Sequence, residues 1–385
     1  MNNQSKLFFL RAAVSVALLF SLNWASELSQ KGEFEQRYLW VVRNSLTSKS
    51  SINQMINFAT LNRFNHILVQ VRGRGDAYYN SMIVPKSQLI NDANFDPLAY
   101  LIPRAKEKGI HVHAWVNTYL LWSSRSKPVQ DDHLFYSHPE WIDQNKQIQL
   151  NLSEEMQNFN SGKNGNEGFY LSPNHPKVNS YLLTVFRDLI ENYELDGLHL
   201  DYVRFHDSEY GHNPAAIAYF RKYNGMKAYP PEETSGVSEW NDHRRKAITD
   251  LVRETKNLIE TVRPGVELSA AVKPNLYQAR ERYFQEWDVW LAAGYLDKAV
   301  VMNYTKNLKE FADNIDIMYD NLPSKYRKKI VMGIATYNQP ADQVVDKVKY
   351  TRVTRFKGIS FFSYNVMAQN PQYFRLIKKI LYPRG

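Results

Sequence analysis

The sequence contains eight short apolar segments, each followed by a segment with helical periodicity, and this alternation restricts the fold more than any other feature. Uninterrupted β→α repetition is typical of a parallel sheet covered by helices. Eight such units predict a (β/α)8 TIM barrel, an α/β fold, as one domain over residues 37–385. The predicted strands are bounded by turn residues and span 37–44, 66–72, 111–117, 196–205, 266–275, 298–305, 329–338 and 358–364.

The chain is longer than a minimal barrel, and two predicted βα loops account for much of the difference. It has 385 residues, whereas a TIM barrel usually needs about 250. Long loops follow the third strand (118–173) and the fourth strand, on the face where barrel enzymes carry their active sites. A doubly wound open sheet is the alternative, but residues 44–46 lack the glycine-rich phosphate loop of such folds.

Residues 1–25 have the pattern of a signal peptide. Lys6 and Arg11 precede the apolar run 12–22, and Ala25 offers a small residue for cleavage. The asparagine at the −3 position fits a cleavage site poorly, so an uncleaved N-terminal membrane anchor is the alternative. In both cases we expect an exported protein, periplasmic or extracellular.

Composition excludes several classes of site. The sequence has no cysteine, which excludes disulfides, thiolate metal ligands and a cysteine nucleophile. The net charge of +9 favours an acidic partner, such as an anionic glycan or the cell wall. No basic run or recognition helix indicates nucleic acid. His111 and His113 lie at the start of a strand, where a core pair is the favoured interpretation, and we predict neither a metal nor a cofactor.

The fourth predicted strand, Asp-Gly-Leu-His-Leu-Asp, places a carboxylate inside the sheet. Side chains alternate along a strand, so His199 and Asp201 share one face and the two leucines share the other. A buried carboxylate needs a hydrogen bond or a charge partner, and Arg204 is a nearby candidate. Such a pair would lower the pKa of Asp201 and suit a nucleophile or a base. A purely structural Asp–Arg pair is the alternative.

Polar and aromatic residues accumulate at the C-terminal ends of the predicted strands, which is typical of a cleft for a polar substrate. Sugars stack on aromatic rings while their hydroxyls need donors and acceptors, and Tyr119, Trp122 and Trp141 follow strand ends in the same way. The predicted substrate-binding residues are Arg43, Gln70, Arg72, Trp115, Asn117, His199, Arg204, Lys273, Asn303, Tyr304 and Tyr364.

Four motifs together resemble the glycosyl-hydrolase-like 10 family of exported bacterial barrel proteins. They are HAWVN at 113–117, LSPNHPKV at 171–178, DGLHLDYVRF at 196–205 and VMNYT at 301–305. The resemblance covers essentially the whole chain after Arg37 and implies a glycan-cleaving hydrolase. At least one Gram-negative branch of the family cleaves peptidoglycan glycan strands stripped of their peptides. That branch is anchored through a lipidated cysteine, which this chain lacks.

A second, weaker similarity is to chitinase-type barrels, whose fourth strand reads DGxDxDxE. Asp196, Gly197 and Asp201 match that pattern, whereas His199 replaces an aspartate and Val203 replaces the catalytic glutamate. The acid of the chitinase type is therefore missing from its usual position. Either Asp201 or a carboxylate from a loop must then transfer the proton.

Glycosidases normally use two carboxyl groups that flank the scissile bond. Asp201 is the strongest candidate, and Asp207 and Glu209 on the following loop are the predicted partners. The remaining candidates lie on the loops after the second and third strands: Asp76, Glu140 and Glu154. The sequence therefore predicts a glycoside hydrolase that cleaves O-glycosidic bonds in a cell-wall or related amino-sugar polysaccharide. A non-catalytic glycan-binding barrel is the alternative.

Overall fold

The computed structural model describes residues 34–145, 167–224, 234–354 and 356–382. Ten strands occur in this part of the chain: β1 (Gln36–Val41), β2 (His66–Arg72), β3 (His111–Asn117), β4 (Leu120–Trp122), β5 (Phe169–Tyr170), β6 (Gly197–Asp201), β7 (Glu267–Val272), β8 (Lys298–Met302), β9 (Ile330–Ala335) and β10 (Gly358–Phe362).

Eight of these strands are parallel and close into a barrel in the order β1-β10-β9-β8-β7-β6-β3-β2. This confirms the predicted TIM barrel. The short strands β4 and β5 form a separate antiparallel pair in the long connection that follows β3. The other long connection follows β6, as predicted.

Helices cover the outside of the barrel. They are α1 (Lys49–Leu61), α2 (Pro97–Glu107), α3 (Leu134–Ser137), α4 (Val178–Asn192), α5 (Pro214–Asn224), α6 (Thr234–Val262), α7 (Leu276–Tyr283), α8 (Trp287–Ala292), α9 (Leu308–Asn321), α10 (Ala341–Val353), α11 (Tyr364–Gln369) and α12 (Pro371–Leu381).

Local sequence signals fix where several of these elements begin. The Asp96 side chain accepts a hydrogen bond from the backbone of Ala99, and Pro97 occupies the first turn, so α2 starts at Pro97. Six of the eight barrel strands end earlier than predicted, however, whereas β2 and β3 end at the predicted residues. The predicted first strand extends to residue 44, but Arg43–Leu46 forms a 3-10 helix. The active-site face consequently carries more loop residues than the sequence pattern indicates.

Two apolar layers result from strand alternation. Outward side chains such as Leu198 and Leu200 pack against the helices in the main core, and inward side chains such as Trp40, Leu68 and Trp115 fill the barrel. The inward set is a packed interior, with the Trp40 and Trp115 rings in edge contact at 4.7 Å between centroids. The barrel interior under the C-terminal ends of the strands therefore combines packed aromatic rings with aliphatic side chains.

The N-terminal end of the barrel interior is polar. His113 is buried and lies 2.9 Å from the His66 ring nitrogen, as expected for a core histidine. His111 is exposed and pairs with Asp196 at 2.9 Å, so the predicted core pair of His111 and His113 is wrong. Alternation of the strand does not bury His111 because it is the first residue of β3, at the open rim.

Two further observations concern membranes and metals. Across the ranges that the structure describes, no helix is long and apolar enough to cross a bilayer. The same ranges contain no cluster of three or more histidine, aspartate or glutamate residues arranged to hold a metal ion. The predicted signal peptide or anchor, residues 1–25, lies outside the described residues.

Candidate active site

A cavity of about 460 Å³ opens at the C-terminal end of the barrel. Two carboxylates, Glu167 and Asp201, occur among the described residues that line it. The other lining residues are polar or aromatic with a few aliphatic side chains: Trp40, Val42, Arg43, Gln70, Trp115, Asn117, Leu120, Ser123, Tyr202, Arg204, Lys273, Met302, Tyr304, Tyr337 and Phe362. A cleft of this composition suits a sugar, which has apolar faces and many hydroxyls.

Asp201 is the last residue of β6 and points into the barrel, as alternation predicts. Its carboxylate accepts hydrogen bonds from Trp115 Nε1 at 3.1 Å and from the backbone nitrogen of Tyr202 at 2.8 Å. Burial raises the pKa of Asp201 to about 6, and these two bonds with the charge of Arg204 offset only part of that effect. A carboxyl group of this kind carries a proton in a useful fraction of molecules near neutral pH.

Glu167 enters the cavity from the loop that precedes β5. It accepts hydrogen bonds from Arg204 Nη2 at 2.7 Å and from the Tyr170 hydroxyl. Burial alone would raise the pKa of Glu167, but the Arg204 charge and the two hydrogen bonds lower it to about 2. This carboxylate stays ionised at the pH values at which Asp201 titrates.

The predicted pairing of Arg204 with Asp201 is therefore wrong. Arg204 is buried, and its guanidinium lies among the rings of Tyr170, Tyr202 and Tyr283 with its charge directed to Glu167. The chain turns directly after the strand ends, since Tyr202, the next residue, has a left-handed φ of 51°. This turn separates Arg204 from the carboxylate that precedes it in sequence, and the pKa of Asp201 rises where a fall is expected.

A chain of hydrogen bonds connects Asp201 with the far side of the cavity. Trp115 Nε1 donates both to Asp201 and to Asn117 Oδ1 (3.0 Å). Gln70 Nε2 donates to the same Asn117 oxygen at 3.3 Å, and Gln70 Oε1 accepts from Arg43 Nη1 at 2.9 Å. These side chains come from three adjacent barrel strands and the turn after β1, so the barrel itself fixes their positions.

Lys273 lies beyond the end of β7 on the wall that carries Arg204. Burial lowers its pKa to about 8, with the neighbouring Arg204 charge acting in the same direction. Its ammonium group lies 4.4 Å from the centre of the Tyr283 ring. The facing wall is aromatic: the Tyr304 and Tyr337 rings lie 5.8 and 5.9 Å from that of Phe362.

Comparison with known proteins assigns this barrel to a family. The model of the Glycosyl hydrolase-like 10 family matches residues 35–348. The chain belongs to the Glycosyl hydrolase-like 10 family. This confirms the resemblance in the sequence motifs, and the two carboxylates lie within the matched residues.

Curated relatives of this Glycosyl hydrolase-like 10 protein carry glycosyl hydrolase names. The chain is 24% identical over 341 residues to glycosyl hydrolase DigH of Escherichia coli K12, covering 82% of this chain and 67% of DigH. It is 23% identical over 264 residues to glycosyl hydrolase YngK of Bacillus subtilis, covering 66% of this chain. The alignment spans only 43% of YngK.

Solved glycoside hydrolases share the fold. The glycoside hydrolase domain of PgaB (BpsB) from Bordetella bronchiseptica superposes with a TM-score of 0.66 at 13% identity, covering 90% of this chain and 98% of that domain. The catalytic domain of β-amylase from Paenibacillus polymyxa gives 0.58 at 12% identity, covering 92% and 99%. The architecture of this Glycosyl hydrolase-like 10 barrel is thus that of barrel glycosidases.

Eight of the predicted site residues line the cavity: Arg43, Gln70, Trp115, Asn117, Asp201, Arg204, Lys273 and Tyr304. Each belongs to a barrel strand or follows one within three residues. Their convergence is the geometry that the accumulation of polar residues at strand ends predicts.

Four predicted substrate-binding residues are not among the lining residues. His199 faces inward but lies deeper, bonded to Ser269 at 2.9 Å. The register of β2 shifts after Gln70, so Arg72 leaves the inward row and donates to the carbonyl of Asn117. Asn303 follows the end of β8 on the outward side and bonds to the carbonyl of Phe311 at 3.0 Å, and Tyr364 begins α11 in the main core. In these last three cases the side chain faces the helices and not the cavity, where substrate-binding residues are expected.

The predicted partner carboxylates also lie off the cavity lining. Asp207 is 3.4 Å from the His206 ring, and Glu209 follows it in the same loop. Asp76 is buried beside the backbone of Arg74, and Glu140 pairs with His138. Glu154 lies outside the described residues. Among Glu167 and the candidates within the described residues, only Glu167 lines the cavity together with Asp201.

Sequence reasoning missed Glu167, Tyr202 and Tyr337. Glu167 lies near the end of a long connection, and no local periodicity or motif assigns it to the barrel. Tyr202 and Tyr337 lie within the predicted strands 196–205 and 329–338, but the observed strands end at Asp201 and Ala335, so both tyrosines belong to the loops that line the cavity. The aromatic residues Tyr119, Trp122 and Trp141, expected at the site from their position, are absent from the lining of this cavity.

Proposed function

We propose that this protein is a glycoside hydrolase that cleaves O-glycosidic bonds in a bacterial cell-wall or related amino-sugar polysaccharide. Asp201 acts as the general acid, and Glu167 acts as the base or nucleophile. The observation that carries the proposal is the opposite shift of two carboxyl groups in one cavity. The pKa of Asp201 is raised to about 6, and that of Glu167 is lowered to about 2. Such a division is what acid–base catalysis by two carboxyl groups needs.

The proposed reaction uses each group in the protonation state that its surroundings favour. Protonated Asp201 donates its proton to the glycosidic oxygen as the bond to the anomeric carbon breaks. Ionised Glu167, held by Arg204 and Tyr170, either removes a proton from the attacking water or attacks the anomeric carbon itself. In the second case, Asp201 then acts as the base that activates water against the glycosyl ester. The stereochemistry of the product, read by proton NMR, distinguishes the two: inversion indicates a base and retention a nucleophile.

The decisive experiment incubates the purified protein with peptide-free peptidoglycan strands and with chitin oligomers and measures new reducing ends. We expect Asp201→Asn and Glu167→Gln to abolish cleavage, with circular dichroism unchanged. Asp207→Asn tests the competing carboxylate, and Glu191→Gln on the outer face of α4 is a matched control that should keep full activity. Full activity in the Asp201→Asn variant would reject the assignment. Loss of activity in Asp207→Asn but not in Glu167→Gln would assign the role of base or nucleophile to Asp207 instead of Glu167.

One observation favours the alternative of a non-catalytic glycan-binding barrel. Glu167 already accepts hydrogen bonds from Arg204 and Tyr170, a pairing that also serves to neutralise a buried arginine. In that case the protein would be retained on immobilised glycan, yet no reducing ends would appear with either substrate. The two functions are therefore separated by the same incubation.

We also propose that the protein acts outside the cytoplasm, where such a polysaccharide is found. The charged and apolar pattern of residues 1–25 and the net charge of +9 support export and association with an acidic wall polymer. Fractionation of cells that express the full chain tests this proposal. Recovery in the cytoplasmic fraction would contradict it.

A further inference from the structure

The cationic side chains of the cavity are not all matched by carboxylates. Three cations, Arg43, Arg204 and Lys273, line it together with two carboxylates, Asp201 and Glu167. The balance is +1 with both carboxylates ionised and +2 when Asp201 carries its proton. Since the acid role of Asp201 requires that proton, the reactive form of the cavity has the larger excess of positive charge.

Arg43 accounts for this excess better than the other two cations. Arg204 is bound to Glu167. Lys273 lies on the same wall, where both carboxylates act on its pKa. Arg43 lies on the opposite side, and its side chain donates to a neutral acceptor, Gln70 Oε1, at 2.9 Å. Among the described residues it forms no ion pair.

The position of Arg43 is fixed by its surroundings. The 3-10 turn after β1 carries it, and Gln70 is itself held by Asn117 through a 3.3 Å bond. Its side chain packs over Gly73, where an added Cβ would come within 2.6 Å of Arg43 Cδ. Because Gly73 has no side chain, the Arg43 guanidinium can lie against the backbone at the cavity edge. Arg43 is half-buried there.

A second arginine lies beside it. Arg74 Nε donates to Ser123 Oγ at 3.0 Å, and Ser123 lines the cavity. Arg74 directly follows Gly73, against which the Arg43 guanidinium packs, so the two arginines are neighbours at the cavity edge. Burial and the positive charge of Arg43 lower the pKa of Arg74, and the nearby Asp76 carboxylate acts in the opposite direction. Within the described ranges Arg74 also lacks an ion-pair partner. Two like charges side by side repel each other, and an anion between them relieves that repulsion.

We infer that Arg43, assisted by Arg74, forms a subsite for a carboxylate substituent on a sugar next to the cleaved bond. The planar guanidinium suits two-point recognition of a carboxylate. This inference rests on the proposed function and makes it more specific, since it selects acidic glycan strands over neutral ones. The hydrogen-bonded chain from Arg43 through Gln70, Asn117 and Trp115 links the subsite to Asp201, so a bound carboxylate has a fixed position relative to the acid.

The test compares peptide-free peptidoglycan strands, which retain sugar carboxylates, with the same strands after chemical reduction of those carboxyl groups. Binding is measured by tryptophan fluorescence in the full chain carrying Asp201→Asn, so that cleavage does not interfere. We expect Arg43→Gln to weaken binding of the acidic strands about tenfold or more, as the loss of a charge-assisted hydrogen bond implies. Binding of the reduced strands should change less than twofold.

Two further variants make the test specific. Gly73→Ala keeps the charge but displaces the Arg43 side chain, so it should reduce the preference for acidic strands in the same direction. Arg187→Gln removes an exposed charge from the outer face of α4, where Arg187 pairs with Glu191, and should change neither affinity. If Arg43→Gln and Gly73→Ala both leave the preference intact, or weaken both substrates equally, the inference is refuted.

The outcome for the subsite is separable from the outcome for catalysis. If the unmutated protein binds acidic strands preferentially and loses this preference in Arg43→Gln, yet releases no reducing ends, the subsite stands and the proposed hydrolysis fails. If the protein cleaves acidic and reduced strands equally well, and Arg43→Gln changes neither rate, hydrolysis stands and the subsite is refuted.

Discussion

Replacing Asp201 with asparagine separates two properties of this buried group, its charge and its hydrogen bonds. Burial raises the pKa of Asp201 from 3.8 to about 6 in the folded protein. Its stabilising contribution is therefore fully present below the unfolded value of 3.8 and is lost as the pH rises through about 6. Because one pKa unit corresponds to about 1.36 kcal/mol, ionised Asp201 destabilises the fold by about 3 kcal/mol at pH 7. Asparagine has no charge and removes that dependence on pH.

The hydrogen bonds act in the opposite direction and independently of pH. Trp115 and Tyr202 each donate to one carboxylate oxygen, but an asparagine side chain offers a single oxygen. One donor is left facing an NH2 group, at a cost of about 1–3 kcal/mol. At pH 7 the two effects nearly cancel, so Asp201→Asn should be about as stable as the parent or slightly more stable. At pH 4 the variant should be clearly the less stable of the two.

The measurement is urea unfolding of both proteins at pH 4 and pH 7, followed by tryptophan fluorescence. The difference in free energy of unfolding between variant and parent should move in favour of the variant by about 2 kcal/mol over that interval. Other titrating groups are common to both proteins and cancel in the difference. A difference that stays constant with pH, or that moves in favour of the parent, would show that burial does not raise the pKa of Asp201, and the general-acid role would lose its support.

Two further predictions concern the partners of the carboxylates. Glu167→Gln should lower the free energy of unfolding by about 1–3 kcal/mol, because buried Arg204 loses its charge partner while Glu167 itself is partly exposed. Urea unfolding measures this loss, with the surface variant Glu191→Gln as the control. An equal loss in both variants would show that the pair of Glu167 and Arg204 does not stabilise the fold more than a surface pair. Trp115→Phe removes a hydrogen-bond donor that stabilises the ionised form of Asp201, so the pKa of Asp201 should rise. The pH above which glycan cleavage declines should then rise from about 6 by up to about one unit in the pH–rate profile. A decrease in that pH would contradict the role of Asp201 as the acid.

The sequence predicts the barrel well because the signal repeats eight times. Each βα unit must bury an apolar strand and an amphipathic helix, and errors of a few residues in one unit do not alter the topology. Alternation along β6 likewise predicts correctly that Asp201 faces inward. It failed for Arg72, because a register shift in β2 reverses the rule at that point. Asn303 was predicted from its position near the strand end, whereas alternation from the inward residues Val300 and Met302 gives it the outward position that it has.

The charge relationships within the site could not be predicted in the same way. Proximity in sequence suggested that Arg204 neutralises Asp201, but the left-handed turn at Tyr202 directs the arginine to a loop more than thirty residues upstream. Glu167 is placed by long-range contacts that leave no periodic pattern. Arg43 was predicted to bind substrate, yet that it forms no ion pair among the described residues depends on side chains distant in sequence, which no local pattern places beside it.

The two carboxylates come from structurally independent sources, and this has a consequence for how such proteins diversify. The proposed acid is part of the barrel strand β6, whereas its proposed counterpart is carried by a connection outside the barrel. If the proposed roles hold, changes in that connection would alter or abolish hydrolysis without disturbing the barrel or the aromatic wall of the cavity. Descendants of one ancestor could thus become lectins by altering a single loop, and the glutamate at position 167 would be the residue by which to sort them.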